Sequence, residues 1–186
     1  MSNKIALLLP VVFLITLFLS CDPKPTTESE KLIFLPDSLP GLDNNLWFDN
    51  ISLPTAKSKM IVFLDSLGCS CRINYLVDYN LFWEYSELLG VSNFVPIVIV
   101  ATRQNNFNEI ITDLKFSRYN GTVFIDSLNV SQSCNESYVN KGQWSVYLTD
   151  AHGKVLLFDN PLRDSKVWIQ YRKVIESLLN NESIKD

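Results

Sequence analysis

Two cysteines separated by a single residue, Cys69-Ser70-Cys71, are the residues of this 186-residue chain best suited to chemistry. A cysteine thiolate is the species that attacks a disulfide, and the free amides and dipole of a helix N-terminus stabilise it. The sequence before the pair predicts a buried strand, and the sequence after it predicts a helix. Cys69 and Cys71 are therefore the candidate catalytic residues of a thiol–disulfide exchange site.

The spacing of the pair restricts how its sulfurs can bond. Residues two apart in a helix project about 200° from each other, so a Cys69–Cys71 bridge requires Cys69 to lie in the loop before the helix. Two residues span at most roughly 6.6 Å, which leaves little choice of disulfide geometry. Such a bridge would be strained and easily reduced. Cys69 is then the more exposed attacking thiol, with Cys71 as a resolver.

Two more residues bear on the same chemistry. Cys134 lies in a polar stretch, 131–141, that predicts a loop. It is either a resolving cysteine for the Cys69/Cys71 pair or a free loop cysteine. Asp65 precedes Cys69 by four residues and either relays a proton to the thiol or caps the loop through backbone amides.

Composition excludes several other functions. The chain carries 16 basic and 20 acidic residues and has no basic stripe, so phosphate neutralisation does not drive binding to a nucleic acid. Its only histidine, His152, lies in a predicted surface turn. Cysteine and imidazole ligands suit copper, which leaves a metal carrier as a weak third hypothesis. We predict no bound metal and no cofactor.

The first twenty residues form a leader rather than part of the fold. Lys4 precedes the apolar run 5–19, which is shorter than the roughly 20 residues of a membrane span but suits a signal peptide. Phe18-Leu19-Ser20-Cys21 resembles a bacterial lipobox, in which Cys21 becomes the lipidated N-terminus, carrying acyl chains such as palmitate. An ordinary secretory leader or an uncleaved anchor is the alternative. The resemblance implies a membrane-anchored lipoprotein of the cell envelope, on the outer membrane, facing the periplasm or the surface.

The remaining chain divides into a tether and one domain. Residues 22–31 (DPKPTTESEK) are polar and contain proline, as flexible tethers do. Residues 32–54 predict one or two short strands. We therefore assign 1–20 to the signal peptide, 21–55 to the lipidated N-terminus, tether and short strands, and 56–182 to the folded domain.

Apolar patterning predicts the elements that position the cysteines. Continuous apolar runs at 60–64 and 96–101 predict strands buried on both faces, and 122–125 predicts a third. Helical periodicity follows the first two strands, over 73–88 and 107–114. Strands at 145–149 and 155–158 flank a hairpin turn with Gly153, and an amphipathic helix over 167–179 is capped by Asp164 or Ser165. The pattern predicts an α/β fold with a parallel core and an antiparallel hairpin at its edge.

The combination of IVFLDSLGCSC (61–71) with VYLTDAHGKVLLF (146–158) resembles the thioredoxin fold, and more narrowly the exported, membrane-anchored TlpA/ResA-like branch. The resemblance covers about 57–179. It implies a central mixed sheet flanked by helices, thiol–disulfide oxidoreductase activity outside the cytoplasm, and a protein thiol or disulfide as substrate.

Two departures from the family pattern keep a second function open. The family motif is C-x-x-C, one residue longer than the motif here, and Trp144 takes the place of the family's cis-proline. A cis bond before Trp144 would cost about 2.5–4 kcal/mol, so we expect it to be trans. The alternative to an exchange enzyme is a redox-inactive thioredoxin-fold module that binds a partner in the envelope.

The lipobox-like sequence generates the first testable prediction. Cys21→Ser should release the protein from the membrane fraction or stall its maturation, because the acyl chains hold it to the bilayer. Membrane fractionation and mass spectrometry of the mature N-terminus measure both outcomes. An unmodified Cys21 together with unchanged membrane association would contradict lipidation.

Overall fold

Three buried apolar strands form the parallel centre of a seven-stranded sheet in the computed structural model, which describes residues 31–65, 70–102, 106–135 and 144–182. Along the sheet the order is β2-β1-β5-β4-β3-β6-β7. The strands are β1 Ser38–Asp43, β2 Leu46–Ser52, β3 Ser58–Asp65, β4 Phe94–Ala101, β5 Val123–Asp126, β6 Trp144–Asp150 and β7 Val155–Phe158. The α-helices are α1 Asn80–Leu89, α2 Phe107–Phe116, α3 Val130–Cys134 and α4 Ser165–Glu182, and a 3₁₀ helix spans Ser70–Tyr79.

The predicted parallel core and antiparallel edge are confirmed. Strands β3, β4 and β5 pair in parallel, whereas β6 pairs antiparallel with β3 and β7 with β6. Gly153 closes the β6–β7 turn with a φ of 85°, as predicted. The Asp164 carboxylate accepts a hydrogen bond of 2.8 Å from the Lys166 amide and so caps α4.

Both faces of the sheet carry a hydrophobic core, which explains why β3 is apolar at nearly every position. Met60, Val62 and Leu64 face a core that the 3₁₀ helix, α1, α2 and α4 complete. Ile61 and Phe63 face the second core. All of these side chains are at least 96% buried. A strand covered on both faces cannot alternate polar and apolar residues.

The segment before β3 supplies much of the second core. Ile33, Leu39 and Ala56 are buried in it, with Leu35, Ile51 and Leu53 packed against it. One or two short strands were predicted within 32–54; the structure has two, which form the hairpin β1–β2 and turn at Asn44 and Asn45, both with positive φ. Strand β1 also pairs with β5, so this segment is an integral part of the sheet.

Two local predictions need correction. The helix predicted over 73–88 begins as a 3₁₀ helix and becomes an α-helix only at Asn80; it ends at Gly90, where the chain adopts a φ of 85°. Cys134 was predicted in a loop but lies at the end of the short helix α3. A helix of only five residues, such as α3, is too short to show helical periodicity in the sequence.

The predicted signal peptide, Cys21 and most of the tether lie outside the described residues. Within the part of the chain that the structure describes, no helix is long and apolar enough to cross a membrane.

The tight contact between β1 and β5 yields a stability prediction. A Cβ atom added to Gly41 would lie 2.5 Å from the Val123 carbonyl oxygen, so the two strands must move apart to accommodate it. Gly41→Ala should therefore lower the free energy of unfolding by about 1–3 kcal/mol, measured by urea denaturation. Asn50→Ala on exposed β2 serves as the control and should change it by less than about 0.5 kcal/mol. Equal stabilities of the two variants would contradict the close packing of β1 on β5.

Candidate functional site

The carboxyl ends of the three parallel strands lie at one edge of the sheet. Asp65 of β3 is in register with Ala101 of β4, and Ala101 is in register with Asp126 of β5. On the other side of β3, Leu64 pairs with Trp144, the first residue of β6. The chain segments that follow β3 and β5 therefore begin about 10 Å apart, at two interstrand spacings.

The predicted catalytic cysteines follow β3 at this edge. Cys69 lies outside the described residues, as does Cys21. Cys71 belongs by its backbone to the 3₁₀ helix Ser70–Tyr79, and its side chain is outside the described part of the structure. Of the C-x-C motif, the structure therefore describes only the backbone of Ser70 and Cys71, in the first turn of the 3₁₀ helix after β3.

Asp65, the predicted proton relay, is the last residue of β3 and is 5% exposed. A carboxyl group so deeply buried needs polar partners, and Asp65 is not without one. Asp65 pairs with Ala101 of the neighbouring strand β4 and precedes Cys69 by four residues in sequence.

Cys134 is disulfide-bonded. The chain has four cysteines, so the partner sulfur belongs to Cys21, Cys69 or Cys71, whose side chains all lie outside the described part of the chain. Cys134 ends α3, the helix that follows β5, and therefore stands at the same edge of the sheet as the C-x-C segment.

Two buried polar side chains hold the ends of α3. The Asp126 carboxylate accepts hydrogen bonds from the amides of Val130 at 2.8 Å and Ser131 at 2.7 Å, which caps the helix N-terminus. The Asn135 side-chain amide donates to the Ser131 carbonyl oxygen and to the Phe34 carbonyl oxygen, both at 2.6 Å, and its oxygen accepts from the Phe34 amide at 2.8 Å. Asp126 and Asn135 are each 1% exposed.

An aromatic pair lies beside the end of β3. The Trp144 indole stacks on the Tyr79 ring, with ring centroids 4.9 Å apart and an interplanar angle of 10°. No cis peptide bond occurs among the described residues, but the bond preceding Trp144 involves Gln143, which is not among them. The stack packs the start of β6 against Tyr79, the last residue of the 3₁₀ helix.

His152 lies apart from this edge of the sheet. It is exposed in the β6–β7 turn, where its backbone amide donates to the Asp150 carboxylate at 2.9 Å. Among residues 31–65, 70–102, 106–135 and 144–182, no three histidine, cysteine or acidic side chains converge as metal ligands would.

Comparison with solved structures shows that the chain has a thioredoxin-like fold. A candidate thiol:disulfide interchange protein DsbE from Chlorobium tepidum superposes with a TM-score of 0.53 at 20% identity, over 81% of this chain and 99% of that one. The thioredoxin domain of a thiol-disulfide oxidoreductase from Bacteroides vulgatus gives a TM-score of 0.50 at 17% identity, over 81% and 99%. No protein-family model and no curated protein sequence matches the chain.

Sequence reasoning missed Asp126 and Asn135. The sequence gives little indication of their roles, because an aspartate after a short apolar strand is typical of an ordinary turn. Asn135 is hydrogen-bonded to the backbone of Phe34, 101 residues away, and no local sequence pattern indicates such a contact.

Three buried tyrosines lead to a prediction of how the stability of the protein depends on pH. Burial raises the pKa of Tyr79, Tyr119 and Tyr171 well above the usual tyrosine value of about 10. The unfolded chain loses these protons first as the pH rises, so the free energy of unfolding should decrease above about pH 10. Tyr79→Phe should weaken this decrease.

Urea denaturation between about pH 8 and pH 11 measures the slope, and tyrosinate absorbance follows ionisation in the folded state. Simultaneous ionisation of all tyrosines near pH 10 in a protein that is still folded would contradict the burial of these hydroxyls.

Proposed function

We propose that the chain is a lipid-anchored thiol–disulfide exchange protein of the bacterial envelope, in which a cysteine of the C-x-C motif reacts with the substrate and Cys134 is the resolving cysteine. The observation that carries this proposal is the disulfide at Cys134, on the helix that follows β5 at the edge where β3 delivers the motif. The interchange proteins with similar folds support the same chemistry.

Chain reach supports a bond between Cys134 and the motif. The ends of β3 and β5 are about 10 Å apart across β4. Cys69 and Cys71 follow Asp65 by four and six residues, and Cys134 follows Asp126 by eight. These lengths are sufficient for the Cα atoms to approach within the roughly 4.4–6.8 Å that a disulfide requires, without the geometric restriction of a Cys69–Cys71 bridge.

The reaction proceeds in two exchanges. The attacking thiolate, assigned to Cys69, bonds to one sulfur of a substrate disulfide and displaces the other sulfur as a thiolate, which takes up a proton. The Cys134 thiolate then attacks the Cys69 sulfur of the mixed disulfide and releases the second substrate thiol. The substrate gains two electrons, and the protein ends with an internal disulfide.

A lipid anchor at Cys21 is compatible with exchange chemistry in the folded domain, because the tether between them is short. In the described structure the chain enters the domain at Lys31, whose carbonyl oxygen accepts a hydrogen bond from the Val155 amide. Lys31 follows Cys21 by ten positions, a reach of at most roughly 36 Å. An acylated Cys21 would therefore hold the domain close to the membrane surface, and it would not be available to pair with Cys134.

A separate observation favours the alternative, a redox-inactive binding module. A groove between α1 and α4 has both apolar and charged side chains, and the Leu88 side chain is 80% exposed; the groove is lined by Leu81, Glu84, Tyr85, Leu88, Trp168 and Arg172. Exposed apolar side chains grouped in a groove are typical of contact surfaces for other proteins. This role requires no cysteine chemistry.

Cysteine variants test the exchange proposal. Iodoacetamide should modify Cys69 faster than Cys71 in the reduced protein at neutral pH, because the thiolate at a helix start is the reactive species. Cys134→Ser should abolish the long-range disulfide and accumulate a mixed disulfide with glutathione. Peptide mapping without reductant identifies the bonded cysteines.

Two results would overturn this proposal. One is a Cys134 disulfide that resists glutathione and dithiothreitol in the folded protein, because the bond would then be structural. The other is slow alkylation of every thiol in the reduced protein, which would leave the binding module as the function.

A further inference from the structure

Resting on the exchange reaction proposed above, we propose that Asn135 and Asp126 are positioning residues: they hold Cys134 where its sulfur resolves the mixed disulfide. Neither residue touches the reacting sulfurs in this scheme. Each acts through the backbone of α3, the five-residue helix that ends at Cys134.

The helix cannot hold its own position. An isolated helix of five residues is far too short to be stable in water. Asp126 accepts hydrogen bonds from two amides in its first turn, and Asn135, just after the helix, donates to the Ser131 carbonyl oxygen. Removal of either side chain would take its partner from a buried backbone group of Ser131, at about 1–3 kcal/mol.

Asn135 also fixes the helix to an independent reference point. Its side chain makes paired hydrogen bonds with the Phe34 backbone amide and carbonyl, as a neighbouring strand would. Phe34 follows Ile33, which is buried in the second core and donates its amide to the Gly153 carbonyl oxygen at 2.8 Å. Cys134 is thereby fixed relative to the sheet by contacts that involve no sulfur.

The same segment contains unsatisfied polar groups, which indicates that its conformation is not selected for stability alone. Among the described residues, the buried atoms without a hydrogen-bond partner include the Asn129 side-chain oxygen and the Ser131 hydroxyl. Asn129 also has a φ of 55°, in the left-handed region. Such costs in one short segment are typical of a functional site.

Positioning matters for one step of the reaction only. Attack on the substrate disulfide requires the motif cysteine and the substrate, whereas resolution requires Cys134 close to the motif cysteine. Holding two reacting groups together raises their effective concentration and speeds the intramolecular step. We call Asn135 and Asp126, with their hydrogen bonds to α3 and Phe34, the clamp. Loss of the clamp should slow resolution and leave the rate of mixed-disulfide formation unchanged.

The test uses the reduced full-length protein in detergent, mixed with glutathione disulfide and quenched with acid at intervals. Mass spectrometry separates the reduced protein, the glutathione adduct and the internal disulfide, and so gives the rates of both steps. Asn135→Ala should slow resolution at least about tenfold, because it removes three hydrogen bonds. The glutathione adduct should accumulate while its rate of formation stays within about twofold.

Matched variants separate positioning from folding. Ser133→Ala changes an exposed residue of the same helix and should alter neither rate. Asp126→Asn keeps an acceptor for one amide of α3 and loses the other; it should slow resolution less than Asn135→Ala does. If circular dichroism shows that Asn135→Ala does not fold, the rates of Asp126→Asn test the positioning of Cys134 instead.

Two outcomes would overturn the assignment. Resolution at the wild-type rate in both clamp variants would show that Cys134 needs no positioning. An equal slowing of both steps would show that the clamp only stabilises the fold. These results differ from failure of the proposed function itself, in which the wild-type protein forms neither the glutathione adduct nor the internal disulfide, and the positioning inference fails with it.

Discussion

Strand β3 is hydrogen-bonded along its length to β4 on one side and, from Ser58 to Leu64, to β6 on the other. With cores on both of its faces, it can hold no polar group except at its ends. Its buried polar side chains therefore lie at its two ends, Ser58 at the start and Asp65 at the carboxyl end, and the cysteine motif follows Asp65 in sequence. The parallel register of β3, β4 and β5 then decides which distant segments meet there, and it brings the Cys134 helix to the same edge.

The edge combines two kinds of support. The Trp144–Tyr79 stack joins β6 to the 3₁₀ helix through apolar contact, which tolerates small shifts. The side chains of Asp126 and Asn135 are buried and their hydrogen bonds are directional, so they tolerate little movement. The position of α3 is therefore defined more narrowly than the position of the 3₁₀ helix relative to β6.

The parts of the fold that depend on local patterns were predictable. Apolar runs identified β3 and β4 because a strand buried on both faces has no polar side, and Gly90 and Gly153 marked the ends of elements because both need positive φ. For the candidate site, the sequence singled out Cys69, Cys71, Asp65 and Cys134 as residues, and the roles of the motif and of Asp65 stay predictions. The contact of Asn135 with Phe34 joins segments 101 residues apart, and nothing in the neighbouring residues encodes it.

The position of the N-terminal segment has a consequence for how the chain folds during synthesis. Ile33 and Phe34 leave the ribosome early, yet their hydrogen-bonding partners Asn135 and Gly153 leave more than 100 residues later. The second core consequently stays open, with its apolar side chains uncovered, until nearly the whole domain exists. A topology dominated by such distant pairings folds slowly, so the nascent chain should depend on holding chaperones for longer than a protein whose neighbours in sequence pack first.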